Sequence, residues 1–395
     1  MEITKSYRIS SIDLLRGLVM VIMALDHVRD YFHADAYLFD PLDPEKTYPA
    51  LFFTRWITHF CAPVFVFLAG TSAYLVGQRK SRSELSRFLW TRGLWLVILE
   101  VTVVVFGWTF NPAFPSLFLQ VIWAIGISMI LLSLVVWLPF RAILALGISI
   151  VLFHNLLDPI HFESPLGLQL LWALVHDPTF LPFADGRLFV AIPYPVLPWL
   201  GIMILGYAFG RLYQSGTDPK MRKSWLSRLG WGAIIGFLVL RGMNIYGDPL
   251  PWETRDSFTF TLLSFLDVTK YPPSLLFTLM TLGPALLLLR MTEGTKVPTE
   301  RQLVTFGRVP LFFYVLHIYL AHFLAMIAAE LAGYGWKSMI LDGWVNFAPG
   351  LEGFGYSLWV VYAVWILVIL ISYPLCRWYM GFKLKNKDLW WISYV

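Results

Sequence analysis

The chain has 395 residues, 58% of them hydrophobic and 14% charged, with a mean hydropathy of +0.66. Soluble domains carry about 45–50% apolar and about 25% charged residues, so this composition excludes a water-soluble core and points to an all-α integral membrane protein, one polytopic domain over 1–395. The net charge of +5 would suit nucleic acid in a soluble protein, but here the basic residues fall between apolar stretches, where membrane topology explains them; the expected partner is the lipid bilayer and not nucleic acid.

A spanning helix needs about 20 mostly apolar residues. Such stretches fall near 12–33, 51–77, 88–109, 115–137, 139–156, 192–213, 229–247, 272–292, 306–331 and 355–378, which is ten spans. The segments 164–176 and 336–349 read as short re-entrant or interfacial helices and leave an eleventh span open. Lys5 and Arg8 precede the first stretch, but no small-residue cleavage site follows, so it reads as a retained span rather than a signal peptide.

The first span is the most heavily charged. Arg16 and His27 are eleven residues apart, so at about 100° per residue they share one helix face, about 16 Å apart along the axis. Met20 and Met23 lie between them, with Asp13 and Asp30 close to the same stripe. Ionisable residues at membrane depth face protein or a watery cavity and are functional candidates by default. Asp30, three residues after His27, is placed to orient the imidazole, which is the arrangement of a general base with its orienter. The competing reading is that Arg16 snorkels to an interface and Asp26–Asp30 is the polar end of the helix.

His59 in the second span, Glu100 in the third and His317 in the ninth either line the same cavity, together with Asp26, or make helix-to-helix hydrogen bonds. His154, His161 and His176 match no zinc spacing, so no metal is expected. Cys61 and Cys376 are far apart in apolar segments and read as packing residues. No internal repeat is visible.

With the N-terminus inside, the cytoplasmic stretches collect most of the 30 basic residues, among them Arg79, Lys80, Arg82, Arg87, Arg211, Lys220, Arg222, Lys296, Arg301, Lys383 and Lys387. Ten spans with both termini in the cytoplasm satisfy the positive-inside rule at every loop. Arg79, Lys80, Arg82 and Arg87 are explained by that rule alone, or they attract a polyanionic ligand such as a nucleotide-bearing cofactor, although no Gly-rich phosphate loop accompanies them.

Three motifs carry a resemblance: Ser11-Ile-Asp-Leu-Leu-Arg-Gly-Leu18 with Met23-Ala-Leu-Asp-His27, then Pro63-Val-Phe-Val-Phe-Leu-Ala-Gly-Thr-Ser72, then Leu197-Pro-Trp-Leu-Gly201 with Leu205-Gly-Tyr207. Gly307-Arg-Val-Pro-Leu311 adds a looser echo. The chain resembles bacterial membrane proteins of the heparan-α-glucosaminide N-acetyltransferase catalytic-domain group, which is similar to the wider membrane acyltransferase-3 superfamily. The resemblance implies transfer of an acetyl or other acyl group from cytoplasmic acyl-CoA to an extracytoplasmic sugar or glycan, in the cytoplasmic (inner) membrane. It implies that Arg16 assists donor binding and that His27 is acyl acceptor or general base. It also puts forward His33, the nearest counterpart of the histidine that the lysosomal acetyltransferase carries in its first lumenal loop. His33 lies about 100° off the Arg16 face. A transporter or lipid-linked flippase using the charged seam as its path is the alternative. An oligomer is compatible with either reading.

Overall fold

The computed structural model describes residues 9–183, 188–294, 302–386 and 388–389. Lys5, Arg8, Lys296, Arg301 and Lys387 lie outside the described residues. The fold is predominantly helical. Ten helices correspond to the ten expected spans: α1 (Ser10–Phe32), α2 (Pro49–Gly77), α3 (Arg82–Thr109), α4 (Val121–Val135), α5 (Phe140–Leu157), α6 (Val196–Tyr213), α7 (Pro219–Met243), α8 (Leu275–Thr292), α9 (Pro310–Leu331) and α10 (Leu358–Lys385). Eight of them are long and apolar enough to cross a bilayer by length and composition. The other two depart for different reasons. α1 has the length, 23 residues, but carries Asp13, Arg16, Asp26, Arg29 and Asp30. α4 has only 15 residues, a length of about 22 Å against a hydrocarbon core of about 30 Å.

Local sequence fixes the helix starts. Ser81 and Glu84 form a reciprocal capping box at the head of α3. The Ser274 hydroxyl accepts from Phe277 N (2.9 Å) at the head of α8. Pro49 and Pro310 open α2 and α9, where a missing N–H is harmless.

The fold matches the helical expectation and adds two details. The chain is not purely helical: β1 (Ser116–Phe118), β2 (Thr179–Phe183) and β3 (Leu188–Ile192) form a three-stranded sheet in the order β1-β3-β2. β1 runs parallel to β3, with Leu117 opposite Val190, and β2 runs antiparallel to it, with Leu181 opposite Val190. The expected span at 115–137 therefore begins as a strand, which is why α4 is short. Second, 164–176 holds one short helix, Leu166–Val175, and 336–349 holds single 3₁₀ turns. Neither is long enough to be an eleventh span.

α1 is enclosed by α2, α9, α10 and the short helix Gln302–Arg308. Within its apolar stretch α6 is 72% buried, whereas α7 and α10 are only 22% buried. Those two present Trp231, Leu238, Trp359, Leu370 and Trp378 outward, apolar surface suited to lipid contact. The connecting segments sort to two ends. Those after α1, α3, α5, α7 and α9 contribute Asp40, Gln120, Asp158, Lys270 and Asp342 to one large cavity. Those after α2, α4 and α6 contribute Lys80, Leu138 and Gln214 to a smaller one.

Candidate functional site

The large cavity, about 1270 Å³, sits at the His27 end of α1 and is lined by Asp26, His27, Arg29 and Asp30 from that helix. Arg55 and Trp108 come from α2 and α3, and Tyr194, Lys270, Tyr271 and Trp344 from connecting segments.

His27 is held by another ring. Its Nδ1 lies 2.8 Å from Nε2 of His317, and the two imidazoles stack with centroids 5.0 Å apart and planes 13° apart. Nδ1 of His317 lies 2.9 Å from the Phe313 carbonyl, one turn earlier on α9. A carbonyl only accepts, so Nδ1 of His317 carries the hydrogen and, with both rings neutral, its Nε2 is an acceptor. His27 Nδ1–H must then be the donor, which leaves the lone pair on His27 Nε2. That nitrogen has no hydrogen-bond partner among the described residues, and His27 lines the cavity. Trp108 packs edge-on against the ring at 4.8 Å. A fixed tautomer with an unpartnered basic nitrogen, on a residue that lines a cavity, can act as a general base or as a nucleophile.

This differs from the expected pairing. Asp30 does not orient His27. Its Oδ1 accepts from Arg29 Nη2 at 2.7 Å. The same guanidinium donates to Asp26 Oδ1 at 2.9 Å, and Arg55 Nη1 donates to Asp26 Oδ2 at 2.5 Å. Asp26 and Asp30 are thus neutralised within a four-residue cluster. The i,i+3 spacing that placed Asp30 within reach of His27 equally placed Asp26 within reach of Arg29, and the stronger charge pairing won.

The other candidates separate. His317 belongs to the site as the residue that sets the His27 tautomer. His33 is 2% exposed, does not line the cavity, and lies 3.3 Å from the Tyr48 hydroxyl through Nε2. His59 is fully buried against Phe277, outside the cavity. Glu100 does not line it either. Its two oxygens accept from Gln120 N (3.4 Å) and Trp123 N (3.2 Å), so it caps the start of α4.

Sixteen ångströms away along the helix, Arg16 is engaged on three sides. It donates to Asp13 Oδ1 (3.3 Å), the Gly307 carbonyl (3.2 Å) and the Ser72 hydroxyl (3.1 Å). Arg308 Nε reaches Asp13 Oδ2 at 3.4 Å. The backbones of α1 and Gln302–Arg308 touch here. A Cβ on Gly17 would stand 1.7 Å from the Leu303 carbonyl oxygen, and one on Gly307 1.8 Å from that of Asp13. Only glycine permits that approach. The smaller cavity, about 400 Å³, lies at this end and is lined by Lys80, Arg82, Arg211, Tyr74, Tyr207 and Gln214 among others. Lys80 and Arg82 thus meet at a cavity, while Arg79 and Arg87 are exposed outside it. No residue lines both cavities, and Met20 and Met23, which lie between Arg16 and His27 on α1, are 1% and 5% exposed.

Sequence reasoning missed Arg55, Lys270 and Arg211. Arg55 carried a usable signal, since an arginine inside an otherwise apolar span needs a partner. Lys270 sits in a connecting segment, where a basic residue has no such signature, and Arg211 sits in the last turn of α6, where a basic residue reads as a topology signal alone.

No curated protein matches the chain. The family model described as "Heparan-alpha-glucosaminide N-acetyltransferase, catalytic" matches residues 8–246. That stretch holds Arg16, His27, Arg55, Lys80, Arg82 and Arg211, and it ends before Lys270, Gly307 and His317. With more than half of its length matched, including the charged face of α1, part of the large cavity's wall and the whole lining of the smaller one, the chain belongs to the heparan-α-glucosaminide N-acetyltransferase catalytic family, a family of acetyltransferase-type membrane enzymes.

Proposed function

We propose that the protein is a membrane acyltransferase that moves an acetyl or other acyl group from cytoplasmic acyl-CoA to an extracytoplasmic sugar or glycan, with His27 as the residue that touches the reacting atoms. The observation that carries this reading is the His317–His27 pair, which leaves Nε2 of the cavity-lining His27 basic and without a partner among the described residues.

In this reading the chain crosses the inner membrane ten times with both termini in the cytoplasm. Support comes from the alternation of connecting segments between the two ends, together with the basic residues gathered at the Arg16 end. The donor then approaches from the smaller cavity, where Lys80, Arg82 and Arg211 meet the CoA phosphates. Arg16 lies on its route inward.

The large cavity suits a sugar. Trp108, Tyr194, Tyr271 and Trp344 offer ring faces. Asp40, Asp177 and Asp342 are acceptors for hydroxyl or amine donors. Arg29 and Arg55 are already committed to Asp26 and Asp30, so an acceptor rich in donors fits better than a polyanion. In the transfer His27 Nε2 takes the proton of the acceptor hydroxyl or amine as that atom attacks the thioester carbonyl. The carbon–sulfur bond breaks, and the CoA thiolate leaves and is protonated. Transfer through an acyl-His27 intermediate uses the same nitrogen.

Because no residue lines both cavities, the reaction needs a passage between them to open, a motion of the kind that gates many enzymes. The test is label transfer in proteoliposomes given labelled acetyl-CoA outside and acceptor glycans inside. His27→Ala and His27→Gln should lower transfer by about 10²–10⁴-fold, and His317→Ala by less. Wild-type labelling by both His27 variants would overturn the assignment. Uptake of substrate into sealed vesicles without any acyl donor would point to a transporter instead.

A further inference from the structure

We propose that His154, Asp158 and His176 bind a divalent transition-metal ion of the zinc class at the rim of the large cavity. His154 and Asp158 stand at the end of α5, where the helix tightens into the turn His154–Leu157. His176 follows the short helix Leu166–Val175. Their sequence spacing resembles no zinc motif, but the fold brings one ligand atom of each within 4.8 Å of the others.

Three further observations point to an ion. Both imidazoles are buried, 3% exposed for His154 and 2% for His176. Nδ1 of each has no hydrogen-bond partner among the described residues, a state that is unfavourable for a buried ring nitrogen. The carboxylate is also pre-oriented. Asp158 Oδ1 lies 2.9 Å from His176 Nε2, and its Oδ2 accepts from Asn155 Nδ2 at 2.8 Å. Asn155 is itself pinned through Oδ1 by Leu275 N at 2.9 Å. A ligating carboxylate held by an outer hydrogen bond is the usual second layer of a metal site.

The donor set selects the ion. Two imidazoles and one carboxylate suit zinc or its neighbours, whereas calcium and magnesium prefer oxygen throughout. Bonds of about 2.0–2.2 Å in a tetrahedron place ligand atoms about 3.3–3.5 Å apart, so the cluster tightens by up to about 1.5 Å on binding. Three protein ligands leave one position free. Asp158 and His176 both line the large cavity, so that position is available to a water or to an oxygen of the cavity's occupant.

The test uses the full-length protein in detergent, stripped with a chelator, then given zinc and desalted. Elemental analysis should find about one zinc per chain. Titration calorimetry should show that His154→Gln and Asp158→Asn each weaken binding at least tenfold, and Asn155→Ala by about 10–100-fold. Zinc-edge absorption spectra should show imidazole scattering. Calcium should bind wild type and His154→Gln alike. Monodisperse elution of each variant shows that it is folded. If folded wild type retains no zinc, or the His154→Gln/His176→Gln double variant binds as tightly as wild type, the three residues are a hydrogen-bonded cluster only. Calcium binding that depends on His154 would overturn the assignment of ion class. None of these readouts involves acyl transfer, so this proposal and the acyltransferase reading fail independently.

Discussion

The two ends of α1 carry similar side chains in opposite settings. At one end Asp13, Arg16 and Arg308 pair beneath a backbone contact so close that only glycine fits at positions 17 and 307. At the other, Asp26, Arg29, Asp30 and Arg55 pair along the wall of a cavity of about 1270 Å³, with His27 among them. Charge pairing alone does not distinguish the ends, since arginine–carboxylate contacts occur at both. Packing distinguishes them: one end is clamped, and the other leaves His27 on the wall of a cavity. The first therefore reads as a latch between helices and the second as a place for chemistry.

The largest expected effect tests the latch. Gly17→Val or Gly307→Val puts side-chain atoms where a backbone oxygen stands less than 2 Å away. Backbone on both sides cannot move aside, so little folded protein should survive, read as loss of the monodisperse peak in size exclusion of a fluorescent fusion. Gly381→Ala, with nothing within 4 Å of its added Cβ, is the matched control and should elute as wild type. A well-behaved Gly307→Val protein would show that the α1 contact is looser than described.

The next effect tests the open end. Asp26→Leu strands Arg55, whose side chain is 14% exposed, beside Arg29. Breaking such a pair should destabilise the protein by roughly 3 kcal/mol, seen as a lowered thermal midpoint. The double variant Asp26→Leu/Arg55→Leu should recover most of it, because the stranded charge is gone. If the double variant is no better than the single, Arg55 is satisfied some other way and the cavity wall is not held by that pair.

A smaller effect separates the cavities by function. Lys80→Gln, Arg82→Gln and Arg211→Gln each remove one cation from the smaller cavity. Each should raise KM for the acyl donor about tenfold with kcat and the KM for acceptor little changed. Arg79→Gln and Arg87→Gln, exposed outside that cavity, should be neutral. Equal effects from all five would mean that only the general positive field matters.

Much of this architecture was legible in the sequence, because hydropathy and basic residues report directly on a bilayer. Helices fall on all ten apolar stretches, eight of them long and apolar enough to span a bilayer, although 115–137 opens as a strand. What was not legible depends on contacts between distant segments. His317 and Glu100 have the same signature, an ionisable group in an apolar span, yet one sets a tautomer and the other caps α4. Only the neighbouring helix decides. The same holds for Asp30, three residues from His27, which pairs instead with the adjacent Arg29 while Arg55 arrives from α2 to share Asp26. The strand Ser116–Phe118 was hidden because a short apolar strand and the head of an apolar helix look alike.

The smallest expected effect concerns the support of the open end. Arg241 gathers the segment after α7, donating to the carbonyls of Leu250 (2.7 Å), Ser264 (3.0 Å), Phe265 (3.0 Å) and Asp267 (2.5 Å). Asp248 accepts from Thr269 N (2.9 Å) and Ser274 Oγ (2.6 Å), which fixes the chain on either side of Lys270 and Tyr271. Burial, with repulsion from Asp40 and Asp248 outweighing Arg241, pushes the Asp267 carboxyl up to about 7. A carboxyl raised in the folded state favours folding most below its ordinary value, 3.8, and that contribution is lost as pH rises through about 7. The segment from 248 to 270 should therefore loosen between pH 6 and pH 8. Hydrogen exchange corrected for its intrinsic pH dependence should show this, and the thermal midpoint should fall by about 2–4 °C. Asp267→Asn, neutral throughout, should abolish both trends. If the variant keeps the wild-type pH slope, another group governs this wall, and the comparison of a rigid clamped end with an adjustable open one loses its pH-sensitive element.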